Sequence, residues 1–122
     1  MEWVSGNIFI RPTVLRAGQR VDGHTHNFDH TTIVFRGSIY VRKWRKVVDA
    51  EGNQAVTDDG KPAFMMVAEK TFIAPAHFLV EAGAKHEMVP VDGDAEFWCI
   101  YSHRTPQGDV VETHNGWLEA YV

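Results

Sequence analysis

Three histidines fall within seven residues, His24, His26 and His30 in the run GHTHNFDH, and their spacing constrains the fold more than any other feature of the chain. In an extended strand, side chains two residues apart share a face. All three histidines have that parity, so one strand can aim three imidazoles into a single cavity. A helix would splay His24 and His26 apart by roughly 200°. His86, far downstream in EAGAKHEM, can complete the set from another strand, because imidazole is the commonest protein ligand for a transition metal. The competing reading is a surface turn that picks up metal by accident. The flanks speak against it: Gly18 and Gly23 precede the cluster, and the apolar run TTIVFRG follows it and ends in a glycine turn. That pattern reads as a buried strand and not as a wet loop.

The rest of the chain reads as strand and turn. Expected strands are Trp3–Ile10, Thr13–Leu15, Gly23–His26, Thr31–Arg36, Ser38–Val48, Ala63–Ala68, Lys70–Ile73, Phe78–Glu81, His86–Pro90 and Ala95–His103, separated at short intervals by Gly, Pro, Asp and Asn. Such punctuation is that of an all-β sandwich or barrel. In Ser38–Val48, Ile39 and Val41 alternate with Tyr40, Arg42 and Trp44, which predicts one buried and one wet face. The polar, glycine-bearing stretch 49–62 is long for a hairpin loop, and is either a surface hairpin tip or a lid over a site. A short turn near Gly116–Ala120 is the one helical candidate, with Trp117 and Tyr121 available to pack back.

The residues carry a family resemblance. Gly18, five residues, His24-Thr-His26, three residues, His30, six residues and Gly37 resemble the first motif of the cupin superfamily, with His30 where that motif usually has glutamate. Pro75, Glu81, Gly83, His86 and Pro90 match the second motif more loosely: its first glycine, its proline and its final asparagine are replaced, while Gly83 and His86 keep their spacing. The motifs span about residues 18–37 and 75–90. The resemblance implies an all-β, cupin-type antiparallel β-barrel, a jelly roll of six to eight strands occupying residues 1–122 as a single domain. It also implies a metal on His24, His26, His30 and His86, with iron or manganese favoured, and pairing of two copies as a homodimer. Trp3, Ile8 and Ile10 give the N-terminus an apolar face suited to that pairing.

Bulk properties bound the function classes. Hydrophobic residues make up 44% and charged residues 23% of the 122, an ordinary globular balance for one domain. Twelve Lys and Arg against sixteen Asp and Glu leave a net charge of −4, which argues against generic nucleic-acid binding. The basic run Arg42-Lys43-Trp44-Arg45-Lys46 alternates sides on a strand and is read as a solvated face or subunit contact. Cys99 is the single cysteine, so no intramolecular disulfide forms. No run of eighteen apolar residues is present, and the N-terminal apolar stretch between Glu2 and Arg11 is too short for a signal peptide. A cytoplasmic setting without membrane contact is the expectation.

Four imidazoles on a six-coordinate ion leave two positions open, for water, a chelating substrate, or substrate plus dioxygen. With no carboxylate ligand the ion keeps its full charge, which strengthens its Lewis acidity toward anionic or enolate-like ligands. All-nitrogen ligation points to one divalent transition metal, with nickel, zinc and copper also compatible. The expected function is that of a metal-dependent dioxygenase acting on a small molecule. The alternatives are a non-oxidative isomerase or lyase, and a non-catalytic cupin that binds metal or ligand. No catalytic residue is identified. Glu81 and Glu87, flanking the His86 turn, are the nearest proton-transfer candidates, although carboxylates so placed more often serve the turn itself. His103, Tyr101 and Cys99 are candidate pocket residues, His77 and His114 have nothing to place them at the metal, and Phe28, Phe35, Phe72, Phe97 and Trp98 form core or pocket wall.

Overall fold

The structure is a computed structural model that describes residues 2–5, 7–26, 29–102, 107 and 109. Seven strands appear among them: β1 (Trp3–Ser5), β2 (Ile8–Leu15), β3 (Val21–His24), β4 (His30–Lys46), β5 (Phe64–Ile73), β6 (Ala76–Val80) and β7 (Lys85–Ser102). Every strand pairing is antiparallel. No helix of the described residues is long and apolar enough to cross a membrane. The turn expected at Gly116–Ala120, with Trp117 and Tyr121, lies outside the described residues, as do Phe28, His103 and His114.

Two long strands organise the molecule. β4 and β7 pair along most of their lengths, from Thr31↔Ile100 to Trp44↔Lys85. The pairing slips at a corner, where Arg36 faces Glu96 but Ser38 already faces Val91. Gly37 holds φ 78° there, and Asp92 and Gly93 hold φ 60° and 120° opposite. A side chain at Gly37 would collide with the Asp94 carbonyl oxygen and crowd Ala95 Cα at 3.0 Å, so only glycine lets the strands fold over each other here. The Asp94 carboxylate accepts from the Ala17 N–H at 2.8 Å and pairs with Arg16 at 3.1 Å, tying the corner to the turn after β2.

The corner gives each long strand a place in two sheets. The later half of β7 and the first half of β4 lie between β2 and β6, with β1 outside β2. The first half of β7 and the later half of β4 lie between β3 and β5. Alternation then fills the space between the sheets. Leu15, Val34, Ile39, Val41, Phe78, Val80, Met88, Ala95 and Phe97 form one buried cluster, with Phe72 stacked on Phe78 at 4.6 Å. The expected all-β antiparallel jelly roll is therefore present.

Several boundaries differ from expectation. Thr31–Arg36 and Ser38–Val48 are one strand, as are Ala63–Ala68 with Lys70–Ile73 and His86–Pro90 with Ala95–His103 over their described residues. A glycine read as a stop is here a bend that the ladder passes through. Thr13–Leu15 joins the strand that begins at Ile8, and the expected Trp3–Ile10 is broken before it. Stretch 49–62 extends the β4–β5 hairpin through bridges Val48↔Gln54 and Val56↔Pro62. The Gln54 amide donates to the carbonyls of Val47, Ala55 and Ala63, each at 3.1 Å, and pins its base.

Candidate metal centre

The four sequence-predicted histidines meet, but not from one strand. His24 ends β3, His26 lies in the connection that follows, His30 opens β4, and His86 is on β7 directly across the ladder from His24. The expected single strand bearing His24, His26 and His30 stops at His24, because its ladder partner β7 begins at Lys85, one residue past the His24↔His86 pair. The connection is then stapled in place. His26 O accepts from the Gly83 N–H at 2.8 Å, and the Asp29 carboxylate accepts from the Ala82 N–H at 2.7 Å. Gly83 itself holds φ 78° in the turn that delivers His86. These two bonds bring His26 back to the place that strand geometry alone would have given it.

The rings form a compact cluster. Centroids are 4.2 Å apart for His24 and His86, 4.6 Å for His24 and His26, 5.2 Å for His26 and His86, and 5.3 and 5.4 Å from His30 to His26 and His86. Ring nitrogens of His24, His26 and His86 all lie within 4.8 Å of one another, so these three can hold a metal ion. His24 Nδ1 donates to the Asp22 carbonyl at 2.8 Å, and His86 Nδ1 to the Ala84 carbonyl at 3.4 Å. A carbonyl can only accept, so each Nδ1 is the donor and each Nε2 is left to face the cluster. The backbone thereby fixes the tautomer that a metal ligand needs. His30 Nδ1 is 3.4 Å from the Thr32 hydroxyl, which also lies 3.7 Å from the Cys99 thiol.

Two observations test whether these residues suit a metal. His86 Nε2 is buried without a hydrogen-bond partner, an arrangement that costs about 1–3 kcal/mol unless something binds there. His24 Nε2 and His26 Nε2 are 3.0 Å apart, the separation of two neighbouring nitrogens held at about 2.1 Å from one ion at right angles. Burial, then the neighbouring His26 and His24 rings, lowers the His30 pKa from 6.5 to about 4. Burial, then His24, lowers that of His86 to about 3, and the same two influences lower His26. Neutral imidazoles with aimed lone pairs fit a transition metal.

A cavity of about 210 Å³ adjoins the rings. Val21, Met88 and Phe97 supply its apolar wall, and Arg11, Thr13, Cys99 and Tyr101 its polar side. Burial raises the pKa of both the Cys99 thiol and the Tyr101 hydroxyl, so both stay protonated near neutral pH. Neither Glu81 nor Glu87 lines this cavity. Glu81 faces out to pair with Arg45 at 3.1 Å, and Glu87 sits across the ladder from exposed Arg42, on the opposite parity from His86. The stretch 49–62 does not line this cavity either. His77 is exposed opposite Ile33, Phe35 is exposed, and Trp98 packs outward between Trp3 and Phe35. Arg11 and Thr13 are cavity residues that sequence reasoning missed. The available signal was their shared parity on β2 with buried Leu15.

No protein-family model matches the sequence, and no curated protein is significantly similar to it. Solved structures do resemble the fold. An RmlC-like cupin family protein with a double-stranded β-helix fold from Methanocaldococcus jannaschii aligns at TM-score 0.55 and 14% identity, covering 84% of this chain and 81% of that one. Peruvianin-I, a cysteine peptidase from Thevetia peruviana latex, aligns at TM-score 0.56 and 19% identity over 87% of this chain and 56% of its own. Hydroquinone 1,2-dioxygenase PnpCD, in complex with Cd2+ and 4-hydroxybenzonitrile, aligns at TM-score 0.56 and 17% identity over 93% of this chain and 64% of its own. The chain thus spans less than two thirds of the peptidase and dioxygenase chains. Proteins of such different chemistry share the architecture, so the likeness speaks for fold and not for reaction. The chain has the cupin fold, an antiparallel double-stranded β-helix, with four histidines clustered inside it.

Proposed function

We propose that the protein is a metal-dependent enzyme acting on a small molecule, a dioxygenase, with one divalent first-row ion on His24, His26, His30 and His86. Iron or manganese is the ion assigned, with nickel, zinc and copper compatible with the same nitrogens. The observation that carries this reading is the partnerless, buried Nε2 of His86 beside three more imidazoles at the floor of a cavity.

A transition metal held by His24, His26, His30 and His86 would supply Lewis acidity and, if iron or manganese, redox capacity. The chain supplies the rest. Val21, Met88 and Phe97 exclude water from one side of the cavity. The protonated Tyr101 hydroxyl can donate a hydrogen bond to a substrate oxygen. Neither Tyr101 nor Cys99 offers an anionic ligand that competes with substrate. An isomerase or lyase needs a general base beside the metal, and no Asp or Glu lines the cavity among the described residues.

Elemental analysis should find about one transition metal per chain, with most of it lost in His86→Ala. Iron-loaded protein should consume oxygen with a member of a panel of diketones, thiols and phenols. Full metal occupancy in the variant would remove the ligand assignment. Zinc-supported turnover under nitrogen would replace the dioxygenase with a lyase or isomerase, and no oxygen uptake with any of the panel would leave a non-catalytic binding protein.

A further inference from the structure

We propose that Arg11 anchors an anionic group of the substrate, so that the cavity takes a small organic acid whose other end reaches the histidine cluster. The second half of that statement rests on the metal-site reading above; the first does not.

On β2, Phe9, Arg11, Thr13 and Leu15 share one face, and of these Arg11 and Thr13 line the cavity while Leu15 joins the core. Arg11 pairs across the ladder with Cys99 and Thr13 with Phe97, both cavity residues. The Arg11 side chain is 63% exposed, so it meets the cavity from its solvent side, where a ligand would enter.

Charge bookkeeping points the same way. Apart from the imidazoles, Arg11 is the one charged side chain among the described residues lining the cavity. Its charge reaches the cavity, where it partly opposes the burial that raises the Cys99 and Tyr101 pKa. With a divalent ion bound and no carboxylate in the described wall, the site carries excess positive charge that an anionic ligand compensates. The guanidinium is available for it. Its ion pair with Glu2 is 3.6 Å long, uses the Nε edge and is exposed on both sides. The two Nη groups can meet an incoming carboxylate bidentately. The volume of about 210 Å³ falls below the usual range for drug-sized ligands, which favours a compact acid.

The test is calorimetric and needs no turnover. Zinc-loaded protein is titrated with 3,4-dihydroxybenzoate and with its uncharged amide, 3,4-dihydroxybenzamide. The acid should bind about 10- to 100-fold more tightly, as a charge-assisted contact provides. Arg11→Gln should abolish that preference with zinc content and thermal midpoint unchanged, and Arg11→Lys should keep part of it. Equal binding of acid and amide by the wild type would overturn the proposal, as would a full preference surviving in Arg11→Gln. If the protein takes up no zinc, the metal assignment fails. Arg11 is then judged by benzoate against benzamide on metal-free protein, with the same preference expected and the same loss in Arg11→Gln.

Discussion

His30 and His86, at 4% and 1% exposure, are imidazoles that the fold keeps neutral far below their ordinary titration range. An unfolded chain protonates both near pH 6.5, whereas the folded chain resists until about pH 4 for His30 and about pH 3 for His86. Between those limits the unfolded state binds more protons, so stability falls as pH falls. Each ring contributes up to about 1.4 kcal/mol per pH unit. Urea unfolding of metal-free protein in chelator should therefore show a midpoint that drops steadily from pH 7 to pH 5, and a flat profile would contradict the buried, neutral assignment. Metal-loaded protein should fall more steeply, because protons then also compete for the ligands. At this scale the sequence was legible where chemistry concentrates: strand spacing drew attention to His24, His26 and His30, the motif resemblance added His86, and the four rings lie together. Arg11 was not legible, because in IFIRPTV it is flanked by apolar residues on both sides and alternation cannot say which set faces in.

Elements were legible in type and less so in extent, and the reason lies in what glycine signals. A glycine with positive φ marks either a turn that ends a strand or a bend the ladder passes through. Gly37 is the second kind, so β4 reads as two strands in sequence and forms one of 17 residues. Likewise, the parity of His24, His26 and His30 predicts that one strand brings these rings together, whereas the structure gathers them by another route. The chain leaves the strand after His24, and bonds from Gly83 and Ala82 to His26 and Asp29 restore the geometry, long-range contacts that local periodicity cannot carry. Gly37 and Gly18 provide a controlled comparison. Both have left-handed φ, 78° and 85°, but a side chain at Gly18 meets nothing within 4 Å, while one at Gly37 meets the backbone of Asp94 and Ala95. Gly18→Ala should cost about 1–2 kcal/mol from φ strain alone. Gly37→Ala should cost at least about 2 kcal/mol more, measured by chemical denaturation. Equal losses would mean that the corner relaxes and is not the rigid fold point described here.

For the whole molecule, the outer face of the sheet that backs the cavity exposes an apolar patch. Antiparallel sheets with one face on a core ordinarily turn polar residues to water on the other. This one presents Trp3, Ile8, Val14, Phe35 and Leu79, each 44–49% exposed, around the outward ring of Trp98. An apolar patch on the sheet that begins with the N-terminal strand, interspersed with Thr31, His77 and Glu96, is suited to a second copy, since a two-fold pairing covers the same patch on both partners. We expect a homodimer closed across this face. Light scattering at tens of micromolar should give twice the chain mass of 13.8 kDa. Phe35→Asp should shift it toward monomer, because Phe35 faces out and the charge would be buried unpaired only if the face is covered. The same substitution should leave metal content unchanged, since Phe35 is on the opposite side of the sheet from the histidines. A wild-type monomer, or a dimer indifferent to a charge at Phe35, would place the partner surface elsewhere.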